Sequence, residues 1–269
     1  MTALLRTEGI TKDYGGVRAL NGATVAVEEG TVAGLIGPNG SGKTTLFNVI
    51  TGYERPDAGE VWFGDRAITR LAPDKVFAAG IGRTFQLTRI FPRLTVTENM
   101  LIAAQARDRP GNLLAWFGRD AWSQHRRRAL ELLEFLGIER HAGLLAGSLS
   151  YGQRKLLELA YVLVADPAVI LLDEPAGGVN PTLVNLIADR IRLLNAQQGK
   201  TFVIVEHNME FVMGLCSTVT VLESGAAVVS GPADVVRTDK RVLDAYLGAD
   251  PDEEAAPDEG NAPGREEGR

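Results

Sequence analysis

Residues 37–44 read Gly37-Pro38-Asn39-Gly40-Ser41-Gly42-Lys43-Thr44 and fit the pattern G-x-x-x-x-G-K-[ST] of a phosphate-binding P-loop. The glycines of such a loop let the backbone curl until successive N–H groups point at phosphate oxygens. Lys43 supplies a positive charge for the β- and γ-phosphates, and the hydroxyl of Thr44 can ligate Mg²⁺. We therefore expect the loop, together with Thr45, to bind a nucleoside triphosphate.

The sequence on either side of the loop provides the context that such a site needs. The apolar run Val32–Ile36 predicts a buried strand that leads into the loop, and Leu46–Ile50 predicts a helix that begins near Gly42. The N-terminus of that helix adds a positive dipole close to the phosphates. A strand, a loop and a helix in this order favour an α/β core over a chance glycine-rich turn.

Length and composition limit the classes of protein that the chain can form. Its 269 residues, 45% of them hydrophobic, suffice for one large α/β domain or for a core with a smaller lobe. The sequence contains no apolar run near the roughly 18–20 residues that cross a bilayer. The first residues lack a secretory pattern and the single cysteine, Cys216, cannot form an internal disulfide, so we expect a cytosolic protein.

The net charge of −6 is concentrated in the last residues of the chain. From Ala249 to Arg269 the sequence holds eight acidic residues and two arginines, and the rest of the chain holds 26 residues of each sign. We expect residues 249–269 to be a disordered acidic tail, because they contain too little apolar surface to fold. The formally neutral remainder gives no reason to expect a nucleic-acid partner.

Short strand-like stretches precede and follow the P-loop. Thr24–Val27 and Glu60–Phe63 are rich in β-forming residues and are bounded by turn residues, which predicts an antiparallel layer beside a parallel core. Tyr14 is predicted to lie in a loop upstream of the P-loop, where its ring can stack on an adenine base. The alternative is that Tyr14 packs, half-buried, against the domain.

The middle of the chain predicts a helix and an aromatic insertion. Ser123–Ile138 places leucines on one face and charged residues largely on the other. The run Arg126–Arg128 is typical of a solvated helix face, because glutamates lie beside it. Trp116 and Trp122 lie in or near a stretch with glycines and prolines. This stretch either contacts a partner or a membrane surface, or packs under its own loop, and packing is favoured.

Two later stretches have the features of ligand sites. In Leu149-Ser150-Tyr151-Gly152-Gln153, Ser150 is a good N-cap, and a serine hydroxyl at a helix N-terminus can bind an anion. The run Val169–Leu172 predicts a buried strand with Asp173 and Glu174 at its carboxyl end, where α/β sheets place ligands. Asp173 suits Mg²⁺, through water, and Glu174 can polarise an attacking water. Capping of a following helix is the alternative for both acids.

A histidine follows the next predicted strand, Thr201–Val205. His207 would leave the sheet at the edge that carries Asp173 and Glu174, which favours a contact with the γ-phosphate over a structural role. His125 and His141 have no such context, and we assign them no role.

In their order and spacing, these motifs resemble those of the ATP-binding-cassette (ABC) ATPases, over roughly residues 4–248. In chain order they are the aromatic Tyr14, the P-loop, Gln86 in a glutamine loop, Leu149–Gln153, Asp173-Glu174, the loop Ala176–Asn180 and His207. The resemblance implies an α/β P-loop NTPase of the ABC-ATPase fold, with a RecA-like parallel core and an antiparallel β subdomain. It also implies a helical subdomain at about residues 88–165, with the whole ATPase domain within residues 1–248.

The resemblance further implies how the site works. Such ATPases act as head-to-tail dimers, in which each ATP lies between the P-loop of one subunit and the stretch Ser150–Gln153 of the other. By this likeness Glu174 is the general base and His207 senses the γ-phosphate. Gln86 ligates Mg²⁺ with Thr44 and Asp173 and links the nucleotide to a membrane partner, and Asn180 serves communication across the dimer.

Within that family the chain looks most like the ATP-binding subunits of bacterial importers for branched-chain or other hydrophobic amino acids, or for urea and amides. The closer likeness lies in Arg83-Thr84-Phe85-Gln86, Leu149–Gln153, Gly178-Val179-Asn180-Pro181, Glu206-His207-Asn208-Met209 and Ala245-Tyr246-Leu247-Gly248. Three positions depart from common family patterns. Tyr151 replaces a glycine, Asn180 replaces an aspartate and Tyr161 stands where a basic residue is frequent.

The implied partners are a second ABC ATPase subunit, in a homodimer or heterodimer, and integral-membrane permease subunits. An extracytoplasmic solute-binding protein would act indirectly, and the chain would lie at the cytoplasmic face of the inner membrane. A soluble ABC-type ATPase for cofactor assembly is the alternative. A P-loop GTPase or kinase is disfavoured, because the sequence has no Asn-Lys-x-Asp motif and residues 149–153 would be unexplained.

Overall fold

The structure is a computed structural model that describes residues 3–84, 90–105 and 119–242. In this part of the chain the strands are β1 (Ala3–Tyr14), β2 (Val17–Glu28), β3 (Val32–Ile36), β4 (Ala58–Phe63), β5 (Arg66–Ala67), β6 (Ile81–Arg83), β7 (Val169–Asp173), β8 (Thr201–Val205), β9 (Thr218–Glu223) and β10 (Ala226–Pro232). They form a six-stranded sheet in the order β10-β9-β3-β8-β7-β6 and a four-stranded sheet in the order β2-β1-β4-β5.

The larger sheet is parallel except at one edge. Strands β9, β3, β8, β7 and β6 run parallel to their neighbours, and β10 pairs with β9 as an antiparallel hairpin. The smaller sheet is antiparallel throughout. The predicted arrangement of an antiparallel layer beside a parallel core is therefore confirmed.

Helices cover the larger sheet and form a layer of their own. They are α1 (Lys43–Ile50), α2 (Pro73–Ala79), α3 (Val96–Gln105), α4 (Arg119–Phe135), α5 (Tyr151–Leu163), α6 (Pro181–Gln198), α7 (Met209–Leu215) and α8 (Ala233–Val236). Helices α3, α4 and α5 pack against one another, and all three lie in residues 88–165. A helical subdomain with those bounds remains a proposal. No helix among the described residues is long and apolar enough to cross a membrane.

The central strands owe their stability to burial on both faces. Every residue of β3, β7 and β8 is buried, as expected where helices cover both sides of a parallel sheet. Because side chains alternate along a strand, Ile170 and Leu172 join the apolar cluster on one face, while Leu171 joins the cluster on the other. Burying a side chain of this size contributes about 1.5–3 kcal/mol.

Two sequence expectations need correction. Tyr14 does not lie in a loop, because it is the last residue of β1 and the two-residue turn Gly15–Gly16 joins it to β2. Both glycines have positive φ, at 55° and 97°, as a tight hairpin turn of the primed type requires. The predicted helix Ser123–Ile138 instead spans Arg119–Phe135, and Gly137, with φ 72°, follows its end.

Several residues named from the sequence lie outside the described residues. They are Phe85, Gln86, Trp116, the stretch Ala245–Gly248 and the acidic stretch 249–269. Trp122 lies within α4, and its side chain is exposed.

Candidate nucleotide site

The P-loop joins β3 to α1 in a conformation that glycine permits. Gly37 and Gly42 have φ values of 150° and 100°. A Cβ atom at Gly37 would lie 2.1 Å from the carbonyl oxygen of Leu222, and one at Gly42 would lie 2.5 Å from that of Ala19. A side chain at either position would therefore push the loop away from the neighbouring backbone, and Gly42 directly precedes α1.

Lys43 is buried inside the curled loop. Its Nζ donates to the carbonyl oxygens of Gly37 and Pro38, at 2.7 and 2.8 Å. Burial lowers the pKa of Lys43, and the carboxylates of Glu174 and Asp173 oppose that shift. Since a phosphate is a stronger acceptor for an ammonium group than a carbonyl, the loop is a suitable phosphate site.

Asp173, the last residue of β7, has one carboxylate oxygen that accepts a hydrogen bond and one that does not, among the described residues. Its Oδ2 accepts a hydrogen bond from Nη2 of Arg83 at 2.9 Å, and its backbone N–H donates to Oγ1 of Thr84 at 3.1 Å. Its Oδ1 is buried and has no hydrogen-bond partner among the described residues. A buried oxygen without a donor fits a metal ligand, and this donor chemistry suits Mg²⁺.

Glu174 and His207 meet at the carboxyl ends of β7 and β8. Oε1 of Glu174 lies 3.0 Å from Nε2 of His207. The backbone N–H of Glu174 donates to the carbonyl oxygen of Val205 at 2.9 Å. The end of β8 therefore holds in place the residue that follows β7. Glu174 has a φ of 48°, which is uncommon for a residue with a side chain and typical of functional loops.

Sequence reasoning missed the buried carboxylate of Glu206. Its Oε1 accepts from the backbone N–H of Ala176 at 2.6 Å. Its Oε2 accepts from those of His207 and Asn208, at 3.0 and 3.3 Å. Glu206 therefore joins the loop after β7 to the loop after β8. The pattern that pointed to Asp173, an acid at the end of a buried apolar strand, applies equally to Glu206.

Helix α5 begins as the sequence predicts. The Oγ of Ser150 accepts from the backbone N–H of Gln153, and the Gln153 side chain accepts from the N–H of Ser150, which completes a capping box. Nε2 of Gln153 also lies 3.0 Å from Nε2 of His141, a residue to which the sequence assigned no role. No sequence pattern indicates this contact, because the two residues lie on separate elements.

The start of α5 also contacts the loop that follows β7 in the same chain. The hydroxyl of Tyr151 donates to the carbonyl of Gly177 at 3.3 Å, and Nζ of Lys155 donates to the carbonyl of Glu174 at 3.1 Å. The exposed ring of Tyr151 lies against Gly178. Tyrosine at this position thus links the Ser150–Gln153 stretch to the Glu174 loop.

Two other predicted residues have local partners. Oδ1 of Asn180 accepts from the backbone N–H of Leu183 at 2.9 Å and caps α6, so the asparagine has a structural role here. The ring of Tyr14 is 42% exposed, and the ammonium of Lys12 lies 5.2 Å from its centre. Its stacking on a base stays a prediction.

A cleft of about 370 Å³ is lined by residues of several elements around β6 and α5. Thr84 and Ile90, on either side of residues 85–89, belong to its wall. Tyr53, Phe77 and Tyr161 supply much of its aromatic lining. Tyr161, whose effect the sequence left unexplained, is therefore a wall residue of this cleft, and burial raises its pKa.

Comparison with known proteins identifies the class to which this site belongs. Residues 20–177 match the family model described as ABC transporter. The branched-chain amino acid transport ATP-binding protein BraF of Pseudomonas aeruginosa is 35% identical over 91% of this chain and 98% of its own length. The corresponding protein LivG of Methanocaldococcus jannaschii is 37% identical over 91% of this chain and 97% of its own.

Solved structures agree with these relatives. A crystal structure of an ATP-binding cassette of an ABC transporter, in its ADP conformation, superposes with a TM-score of 0.81 at 35% identity. The match covers 93% of this chain and all of that one. A dimeric cassette bound to ADP and phosphate superposes with a TM-score of 0.75 at 26% identity, over 85% of this chain and 98% of its own.

The protein is thus an ATPase of the P-loop α/β class. It belongs to the ABC transporter family. The resemblance inferred from the sequence motifs, the fold class and the ATPase activity are confirmed.

Proposed function

We propose that the chain is the ATP-hydrolysing subunit of a bacterial importer for branched-chain or related amino acids, with urea and amides as the nearest alternative solutes. The observation that carries the chemistry is the convergence of Lys43, Asp173, Glu174 and His207 at the carboxyl edge of one parallel sheet. The names of the relatives that match over 91% of the chain support the choice of solute.

In this proposal each residue of the edge acts on ATP or on the attacking water. The P-loop amides and Lys43 hold the phosphates, Glu174 accepts a proton from the water, and His207, in contact with Glu174, binds the γ-phosphate. Thr44 and Asp173 would hold Mg²⁺, together with Gln86 from outside the described residues. When bound, the metal would neutralise charge that develops on the phosphates.

A second ATPase subunit completes the site. Ser150 is exposed at the N-terminus of α5, where a hydroxyl and free backbone N–H groups suit a phosphate from another chain. The dimeric cassette to which this chain is similar supports a dimer, in which the partner is a second copy or a related ATPase. Asn180 and Tyr151 would then relay the state of one site to the other.

Permease subunits would bind at the aromatic cleft whose wall includes Thr84 and Ile90. Arg83 belongs to the wall of this cleft and also contacts Asp173, so a membrane partner and the nucleotide would share one residue. A solute-binding protein on the other side of the membrane would select the solute.

Ser150→Arg is expected to block ATP-driven dimer formation and to leave nucleotide binding to the monomer within about twofold of wild type. The larger cation fills the N-terminus of α5 that the partner's phosphate would occupy. The measurement is gel filtration with light scattering in the Glu174→Gln background, with ATP. Gln124→Arg adds the same charge on the exposed face of α4 and serves as the control. A dimer that survives Ser150→Arg would remove this stretch from the site.

Glu206→Gln is expected to lower ATP turnover about tenfold, since a hydrogen bond to a charged group contributes about 1.5–3 kcal/mol and the amide can no longer accept from both loops. Nucleotide binding should change little, because the hydrogen bonds of Glu206 go to Ala176, His207 and Asn208 and not to the P-loop or Asp173. Glu210→Gln, exposed in the first turn of α7, is the matched control. Unchanged turnover in Glu206→Gln would show that its three hydrogen bonds do not position the site.

The importer function is tested by uptake. Cells whose only copy of the chain carries Glu174→Gln should lose high-affinity uptake of labelled leucine, isoleucine and valine, and the unaltered chain should restore it. Loss of urea uptake instead would reassign the solute. If no uptake changes while the purified chain hydrolyses ATP, the cofactor-assembly alternative replaces the importer.

A further inference from the structure

We propose that Arg83 is a positioning residue for the metal ligand Asp173. It fixes one carboxylate oxygen of Asp173 and thereby leaves the other available to Mg²⁺. The inference rests on the proposed role of Asp173 as a metal ligand. Neither the P-loop pattern nor the acidic strand end indicates such a role for an arginine on another strand.

The contact between the two side chains is short and excluded from solvent. Nη2 of Arg83 lies 2.9 Å from Oδ2 of Asp173, and the two side chains are only 5% and 2% exposed. Since Arg83 occupies Oδ2, the orphaned Oδ1 is the oxygen left for another ligand. The guanidinium therefore determines which oxygen of Asp173 is left without a hydrogen-bond partner among the described residues.

The opposite side of the guanidinium is anchored to the P-loop helix. Nη1 of Arg83 donates to Oδ1 of Asn48 at 2.6 Å and to Oγ1 of Thr51 at 3.4 Å. The guanidinium carbon also lies 5.4 Å from the centre of the Phe47 ring, and that side chain is fully buried. These three residues belong to α1 or to its C-cap, so Arg83 fixes Asp173 relative to the helix that begins at Lys43.

This arrangement uses properties that distinguish arginine from lysine. A planar guanidinium can donate in two directions at fixed angles, to Asp173 on one side and to Asn48 on the other. A lysine ammonium can pair with Asp173, but its flexible stem cannot hold the same double contact. Because a buried ion pair contributes little net stability by itself, the anchoring points to a role in orientation.

Magnesium titrations of nucleotide binding test the proposal directly. The full chain is mixed with a fluorescent ATP analogue, first in EDTA and then with increasing Mg²⁺, and the Mg²⁺ concentration at half-maximal change is recorded. Arg83→Gln should bind the analogue in EDTA within about twofold of wild type, but should require about tenfold or more Mg²⁺, the usual size of such second-layer effects. Arg83→Lys should lie between Arg83→Gln and wild type.

Two further variants keep the result interpretable. Asn48→Ala removes the second anchor of Arg83 and leaves its ion pair with Asp173. It should therefore raise the Mg²⁺ requirement, but by less than Arg83→Gln does. This variant tests the proposal even if Arg83→Gln fails to fold. Arg192→Gln, which removes an exposed arginine of α6 that pairs with Asp189, is the control and should leave the requirement unchanged.

The variant Asp173→Asn separates this inference from the function on which it rests. If Asp173→Asn raises the Mg²⁺ requirement but Arg83→Lys and Asn48→Ala do not, Arg83 does not position Asp173 and the inference is wrong. If Asp173→Asn itself has no effect, Asp173 is not the metal ligand, and the proposed site fails together with the inference. A lower Mg²⁺ requirement in Arg83→Gln would also overturn the proposal, because Arg83 would then only weaken binding through its charge.

Discussion

Replacing Glu174 by glutamine is expected to reduce ATP hydrolysis by about 100-fold or more, the contribution of a positioned general base. The amide keeps the size of the side chain and its contact with His207, 3.0 Å away, but it cannot accept a proton from water. Binding of ATP depends on the P-loop and Lys43 and should persist. ATP would therefore remain bound without turnover.

Phosphate release and equilibrium nucleotide binding, measured on the same preparation, check this expectation. For Glu174→Gln we expect a large decrease in kcat with nearly unchanged affinity for ATP. The control, Glu210→Gln, should have wild-type values of both. His207→Ala should also lower kcat, because it removes the imidazole that lies 3.0 Å from the carboxylate of Glu174. Near-normal turnover in Glu174→Gln would show that another group activates the water.

Replacing Lys43 by alanine is expected to weaken ATP binding by about 100-fold, since truncating one partner of a buried charge pair costs about 2–5 kcal/mol. Lys43 is the cation enclosed by the P-loop, and its ammonium is held by the carbonyls of Gly37 and Pro38. Burying that charge costs free energy, as the lowered pKa of Lys43 shows, so its removal should affect binding far more than folding.

Titration calorimetry with ATP, alongside thermal unfolding, separates the two effects of Lys43→Ala. We expect a large rise in Kd with a midpoint of unfolding within a few degrees of wild type. Lys75→Ala, which removes an exposed lysine of α2, provides the matched control. Wild-type affinity in Lys43→Ala would mean that the backbone amides alone hold the phosphates.

Local patterns in the sequence predicted those parts of the site whose positions depend on residues close together in the chain. The P-loop follows from its glycines and from the strand before it, and the position of Asp173 follows from four apolar residues that end in an acid. The shared sheet edge of Glu174 and His207 follows from the parallel direction of β7 and β8. These inferences needed only the alternation of apolar runs and turn residues.

Pairings between distant segments could not be predicted in this way. Arg83 and Asp173 are 90 residues apart, and their contact depends on β6 being the neighbour of β7 at the edge of the sheet. The contact between His141 and Gln153 likewise depends on how a short helical turn packs against α5. Single-sequence patterns do not specify strand order or such packing.

The wrong expectation that Tyr14 lies in a loop could have been avoided from the local sequence. The pair Gly15–Gly16 between two β-rich runs is typical of a two-residue hairpin, which places Tyr14 at the end of a strand and not in a loop. The β-rich residues on both sides carried the necessary information.

Capture of the tagged chain from solubilised native membranes tests the central claim most directly. An ATPase that powers import must bind to the membrane proteins that form the transport pathway. We therefore predict that the captured complex contains two multi-span permease chains and a second ATPase subunit. Those permeases would also define the solute. Recovery of the chain only from the cytosolic fraction, with soluble partners alone, would contradict the importer function and leave an ATPase with another task.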